Sequence, residues 1–277
     1  MDEDGVRRRG FVMTGLISGL TLATVRVEAQ AIHTNATGLV AGPVQIPVAD
    51  GSLPAYRAMP EGAGPFPVVL VIEEIFGVHE YIKDITRRLA KQGYLAVAPE
   101  LYARLADLSK MTDVQQIIRD VIMQAPDATI LSDLDATATW AAAHGGDPQR
   151  LAVTGFCRGG RNTWLYAAHN PHLRAAVAWY GPVQGQTSAI QPRNAADLAP
   201  ALHCPLLGLY GGQDQSIRQA DVQAAAQAAR AAGKMVEIVT YPDAPHGFHA
   251  DYRPSYRAAD AADGWARMLA WFRQYGV

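Results

Sequence analysis

Cys157, Asp214 and His246, in that order along the chain, are the residue types that acyl transfer by a thiol requires. A thiol attacks a carbonyl well only as the thiolate, so it needs a base beside it, and an imidazole base needs a third group to orient it. Cys157 lies in Gly155-Phe156-Cys157-Arg158-Gly159-Gly160, entered by the apolar, β-branched run Leu151 to Thr154 and left by the helix-compatible stretch Arg161 to His169. Glycines flanking a nucleophile between a strand and a helix form a nucleophile elbow, here with cysteine where serine is usual. Taken alone, the same cysteine reads equally well as a small buried hydrophobe. The downstream residues decide. Asp214 follows the apolar run Pro205 to Tyr210 in Gly211-Gly212-Gln213-Asp214, a position that also suits a helix cap. His246 stands between Pro245 and Gly247 just past the run Met235 to Tyr241; His249 competes with it, and Gly247 favours His246 by leaving its ring room to turn. Separations of 57 and 32 residues allow about one strand–helix unit in each gap.

The elements that must position these groups follow from the hydrophobic pattern. Val44 to Val48 and Leu53 to Ala58 form a hairpin about Asp50-Gly51, and Pro67 to Glu73 is a continuous apolar strand buried on both faces. An amphipathic helix over His79 to Gln92 ends at Gly93, and Tyr94 to Ala98 is the next strand. Residues 100–126 are a helical or loop excursion forming part of the site wall, and Asp127 to Ala143 is a long Ala-rich helix. Ala175 to Tyr180 is a strand, 181–201 a loop over the sheet edge, Ile217 to Ala232 a helix, and Arg257 to Tyr275 a terminal amphipathic helix. Strand and helix alternate throughout, so the expected fold is α/β, a mostly parallel central sheet with helices on both faces, built as one domain over residues 32–277.

Composition narrows the class. The chain has 277 residues, 49% hydrophobic and 18% charged, enough to bury a large core. A formal charge of −2 gives no footing for nucleic acid or an anionic membrane. The only cysteines are Cys157 and Cys204, read as two free thiols. No His/Cys/Asp cluster has ligand spacing, so neither metal nor cofactor is expected. Residues 1–31 differ from the rest. Arg7-Arg8-Arg9 precedes the uncharged stretch Phe11 to Val25, too short and weakly apolar for a membrane span, and Ala29-Gln30-Ala31 offers a small-x-small cleavage pattern. This reads as a twin-arginine-type export signal, placing the mature protein in the periplasm or outside the cell without stable membrane insertion; an unused signal would leave it cytoplasmic.

The order nucleophile, acid, histidine is that of α/β-hydrolases. Together with Glu74-Ile75-Phe76-Gly77-Val78, Tyr102-Ala103-Arg104 and His246-Gly247-Phe248, these motifs resemble the dienelactone hydrolase (carboxymethylenebutenolidase) family, in register from about Val44 to the C-terminus. The resemblance implies an α/β-hydrolase fold and hydrolysis of an ester or lactone through a thioester. It also implies a Cys157–His246–Asp214 triad, and Glu74 beside the thiol as proton acceptor when substrate arrives. Arg104 would bind a substrate carboxylate, with Tyr102 and Phe76 lining its place. The family's second substrate-binding arginine is absent here or moved to Arg253, and Arg158 is charged where an apolar residue is common.

The physics agrees with those roles. A helix N-terminus and the adjacent Arg158 favour a thiolate at Cys157. The backbone N–H groups of Arg158 and Ile75 are candidates for the oxyanion hole. Glu73 and Glu74 point to opposite sides of an extended segment, so only one can face the thiol. The expected partner is a small ester or lactone, on a monomer or homodimer. A carboxylesterase or thioesterase without dienelactone activity, and a non-catalytic binding protein on the same scaffold, are the alternative readings.

Overall fold

Eight strands share one sheet in the order β1-β2-β4-β3-β5-β6-β7-β8 in this computed structural model, which describes residues 32–277. The proposed export signal lies outside the described residues. β1 (Leu39–Val48) and β2 (Gly51–Pro60) form the antiparallel hairpin, and β2 runs antiparallel to β4 (Leu95–Pro99). β3 (Phe66–Ile72), β5 (Gly146–Phe156), β6 (Leu173–Trp179), β7 (Leu206–Gly211) and β8 (Val236–Tyr241) continue the sheet in parallel. Val68 to Ile72, Leu95 to Pro99 and Leu206 to Gly211 are buried at every position, so both faces are covered, as continuous apolar runs demand.

The covering helices are α1 (Glu80–Lys91), α2 (Val114–Asp120), α3 (Asp127–Ala143), α4 (Arg158–His169), α5 (Ala195–Leu198), α6 (Gln219–Ala231) and α7 (Ala258–Gln274). None is long and apolar enough to cross a membrane. Several expected boundaries move; β1 and β5 each begin five residues earlier than expected, at Leu39 and Gly146, and three differences bear on the site wall. α4 begins at Arg158, not Arg161, because Cys157 itself occupies the cap position and the turn is spent in one residue. The 100–126 excursion folds α2, capped by Asp113, whose Oδ1 accepts from Gln115 N and Gln116 N at 2.8 and 3.2 Å. The 181–201 loop closes with α5, where Asn194 and Asp197 form a reciprocal capping box.

The chain order fixes where a site can form. From β3 the chain moves outward to β4, then crosses back to lay β5 on the other side of β3. The loops leaving β3 and β5 therefore diverge and leave a crevice beyond their C-terminal ends, where open α/β sheets bind ligands. Ile72 pairs in register with Gly155, so Glu74 and Cys157 emerge on either side of that crevice.

Candidate functional site

Cys157 holds its thiol on the single-residue turn between β5 and α4. Its backbone has φ 55° and ψ −116°, a region a side chain adopts only at a cost of about 1–3 kcal/mol when the surroundings enforce it. Enforcement comes from Cys157 N–H donating to Trp179 O at 3.0 Å and from α4, whose Arg161 N–H donates back to Cys157 O at 3.2 Å. Gly155 and Gly159 make the turn possible. A Cβ on Gly155 would lie 2.3 Å from Gly159 O, and one on Gly159 would lie 2.4 Å from both Ile72 O and Glu73 O. The elbow is thus pressed between β3 and its own helix, with the Arg158 N–H at the first turn of α4, where amides lack intrahelical partners.

Asp214 and His246 meet beyond β7 and β8. Asp214 Oδ2 accepts from His246 Nδ1 at 2.6 Å, with the carboxylate side chain wholly enclosed. Its other oxygen accepts from Ser216 N at 2.8 Å, Ser216 Oγ at 2.6 Å and Ile217 N at 3.2 Å, so one oxygen closes a side-chain turn and the other orients the imidazole; the cap position of α6 falls to Arg218 instead. Burial alone would raise the Asp214 pKa, but donation from His246 and Ser216 outweighs it and holds the carboxyl below its usual range. Burial likewise opposes charge on His246, yet the charge of Cys157 and its hydrogen bond with Asp214 push the imidazole up to about 10. With Nδ1 turned to Asp214, Nε2 is the nitrogen left for the thiol. The Tyr180 ring, itself at φ 37°, stands edge-on to His246 with centroids 5.2 Å apart and walls the imidazole.

Glu74 and Glu73 diverge as strand alternation requires. Glu73 Oε1 accepts from Leu101 N at 2.7 Å, and burial with the neighbouring Glu100 raises its pKa well above the usual range. Glu74, with no exposed surface, accepts from the Tyr252 hydroxyl on Oε2 and from Arg253 Nη2 on Oε1 at 3.1 Å. Burial opposes the Arg253 charge, but Glu74, Tyr252 and Cys157 together raise its pKa well above the ordinary value. Arg253 therefore stands at the site, pinning Glu74, with its guanidinium 5.2 Å from the Phe76 ring centroid. His249 does not compete with His246: its Nδ1 shares a 2.7 Å hydrogen bond with Tyr81 OH, and burial pulls its pKa down to about 3.

The remaining candidates divide. Ile75 is buried directly after Glu74, three residues past the end of β3. Phe76 and Tyr102 both line a cavity of about 210 Å³ with Glu73, Gly77 and His79, but Cys157, Asp214 and His246 do not border it. Tyr102 is buried, its hydroxyl 3.3 Å from Asn162 Nδ2. Arg104 departs from its expected role. Its Nη1 and Nη2 grip Asp133 at 2.6 and 2.9 Å, and its Nε donates to Asp50 at 2.9 Å, tying α3 to the β1–β2 turn. Those hydrogen bonds raise its pKa against the pull of burial. A guanidinium engaged by two carboxylates has no face left for a substrate carboxylate. Tyr252, Ser216 and Tyr180 escaped the sequence reading, because ordinary polar and aromatic types in loops reveal nothing until the loops are folded.

Comparison with known proteins places the chain in a family. The family model described as "Dienelactone hydrolase family" matches residues 53–276. A provisionally named carboxymethylenebutenolidase of Methylorubrum extorquens is 57% identical over 98% of this chain and 94% of its own. One of Escherichia coli K12 is 53% identical over 94% and 96%, respectively. The crystal structure of a provisionally named dienelactone hydrolase from Klebsiella pneumoniae superposes with a TM-score of 0.84 at 54% identity, covering 86% of this chain and 99% of that one.

Proposed function

Because this chain belongs to the dienelactone hydrolase family and is a carboxymethylenebutenolidase-like hydrolase of α/β-hydrolase fold, we propose that it cleaves carboxylic ester or lactone bonds through a thioester on Cys157. The observation that carries this is the 2.6 Å Asp214–His246 hydrogen bond beside a thiol held at a strained elbow. Cys157 Sγ adds to the acyl carbon, and the carbonyl electron pair moves onto oxygen. The Arg158 and Ile75 amides are the donors for that oxyanion. Collapse expels the alkoxide, which takes the proton from the His246 imidazolium and leaves the thioester. For a lactone, the freed hydroxyl stays tethered to the acyl group. Water then loses a proton to neutral His246 as it attacks the thioester. Collapse of the second intermediate releases the acid and restores the thiolate–imidazolium pair. In the resting arrangement the imidazole is the group suited to hold the thiol proton. Glu74 becomes a proton acceptor only once freed from Arg253 and Tyr252.

The test is hydrolysis of cis- and trans-dienelactones, simple lactones and 4-nitrophenyl esters by the full chain and by Cys157→Ala. The variant is expected to keep its thermal transition and lose turnover, and rapid quenching of the parent should yield an acyl adduct on Cys157 by mass spectrometry. Full esterase activity in Cys157→Ala ends the mechanism. The engagement of Arg104 with Asp133 counts against Arg104 as the anchor of a substrate carboxylate.

We also infer export through residues 1–31. Fractionation and N-terminal sequencing after expression should find a chain starting near Ala31 outside the cytoplasm, and an Arg8→Lys/Arg9→Lys double variant should stay inside. An intact N-terminus in the cytoplasmic fraction rules the signal out.

A further inference from the structure

Arginines cluster near the C-terminal ends of the strands that build the site, and most already hold carboxylates. Arg104 is bound by Asp133 and Asp50, and Arg253 by Glu74. Arg158, the residue directly after the nucleophile, is different. Among the described residues no carboxylate oxygen lies within salt-bridge distance of it, and its guanidinium is bonded through Nη2 to the neutral Gln191 Oε1 at 2.8 Å. Its Nε is enclosed and has no partner. A buried donor left in this way costs roughly 1–3 kcal/mol, more when the group is charged, so the position is expensive unless it serves something.

Its surroundings explain neither the charge nor the expense. Burial pulls the Arg158 pKa down, and the groups acting on it after burial are Tyr102, whose neutral hydroxyl is also close enough to hydrogen-bond it, Arg161 and Asp127. Asp127 is committed to Arg161, whose Nη1 and Nη2 hold its two oxygens at 2.7 and 2.9 Å. The Cys157 charge acts on His246 and Arg253 instead. Gln191 is fixed in place because its Nε2 donates to Ile122 O at 2.7 Å and Ala125 O at 2.9 Å, so its oxygen is presented to Arg158 as a neutral acceptor. Nε and Nη2 form one edge of the guanidinium, the edge that receives a carboxylate through two parallel hydrogen bonds. An arriving carboxylate would exchange one neutral hydrogen bond for two charge-assisted ones and would satisfy the orphaned Nε.

We infer that the Arg158 side chain, in place of Arg104, is the specificity-determining cation of this site and receives a carboxylate on the acyl part of the ester. This rests on the reading of Cys157 as the nucleophile. The elbow residue then has two separable uses: its amide faces the developing oxyanion and its side chain selects the acyl group. Because Cα of Arg158 is one residue from the thiol, the selected esters are half-esters of short dicarboxylic acids or lactones bearing a carboxylate near the acyl carbon.

The probes are mono-4-nitrophenyl glutarate and 4-nitrophenyl valerate, which share a leaving group and differ by a carboxylate in place of a methyl. The readout is the ratio of their kcat/KM values, corrected for spontaneous hydrolysis, in the full chain and in Arg158→Gln, Arg158→Lys and Arg104→Gln, each checked by circular dichroism. The expected result is a ratio favouring glutarate that drops about tenfold or more in Arg158→Gln, chiefly through KM, because a charge-assisted pair is lost. Arg158→Lys should recover part of it, keeping the inference testable if the Gln variant does not fold, and Arg104→Gln should leave the ratio as in the parent. A parent without preference, an Arg158→Gln ratio equal to the parent's, or a collapse in Arg104→Gln instead overturns the inference. Any of those with a Cys157-dependent enzyme leaves the thioester mechanism standing, whereas undiminished turnover of both esters by Cys157→Ala removes that mechanism itself.

Discussion

Replacing Arg253 by methionine removes a cation from Glu74 while keeping an unbranched stem against Phe76. Glu74 has no exposed surface, and Tyr252 is the other group that satisfies it. Removing one member of a buried ion pair leaves the other charge stranded in a low dielectric, at about 3–5 kcal/mol. A chain of this size loses about 2–4 °C of Tm per kcal/mol, so Arg253→Met should melt roughly 6–20 °C lower. The diagnostic step is the double variant. Glu74→Gln in the Arg253→Met background removes the stranded charge, and stability should return to within about 1–2 kcal/mol of the parent. Urea denaturation with a common m-value across the parent, the Arg253→Met and Glu74→Gln single variants and the double variant measures the coupling. A single variant costing less than about 1 kcal/mol, or a double variant no more stable than the single, would refute the argument that this pair is a charge held by its partner.

Three further outcomes follow from the geometry. Gly159→Ala places a methyl 2.4 Å from the Ile72 and Glu73 carbonyl oxygens, which belong to backbone and cannot swing away; turnover and Tm should both fall, whereas an unaffected variant would mean the elbow is looser than drawn. His246, raised from its ordinary 6.5 to about 10, contributes stability that is complete below pH 6.5 and lost as pH climbs through 10. The Tm gap between the parent and His246→Gln should therefore be widest near pH 6 and closed by about pH 10, and a gap that widens with alkali contradicts the thiolate–imidazolium pair. Arg104→Gln strands the buried Asp133, so it should cost about 1–3 kcal/mol in denaturant titration, and a neutral result would return Arg104 to the list of free cations.

Much of the site was readable because its groups sit at strand ends, and strands announce themselves. The apolar runs before Glu74, Cys157, Asp214 and His246 are β3, β5, β7 and β8, and the chain order alone predicts that their C-terminal ends share one edge. The alternation rule correctly sent Glu73 and Glu74 to opposite sides. What stayed hidden depended on pairing between distant loops. Arg104 looked like a free anchor because nothing in Tyr102-Ala103-Arg104 reveals that Asp133, on the far helix α3, will meet it. Arg253 was visible as a displaced arginine, but its attachment to Glu74 across 179 residues was not. The helix in 181–201 was concealed by prolines and glycines, although Asn194 followed three residues later by Asp197 was a capping signal in plain view.

The geometry of the Asp214–His246 pair is settled in the backbone before either side chain turns. Gly212 N–H donates to Tyr241 O at 2.7 Å and Gln213 N–H to Ala244 O at 2.9 Å, so the loops leaving β7 and β8 are laced together. The lacing is close enough that a Cβ on Gly211 would lie 2.3 Å from Ala244 O. Tyr180 N–H donates to Leu209 O at 2.8 Å, setting the ring that walls His246 from the strand beside it. Cys157 is tied to the same neighbourhood through its hydrogen bond to Trp179 O, the residue before Tyr180. Thiol, imidazole and carboxylate thus hang from three adjacent backbone anchors and depend little on one another for position. Groups held this way need no reorganisation if charge develops beside them, which is the condition under which fixed dipoles lower a barrier most. It follows that Cys157→Ala should leave the imidazole where it is, so a loss of turnover in that variant reports the missing sulfur and not a collapsed site.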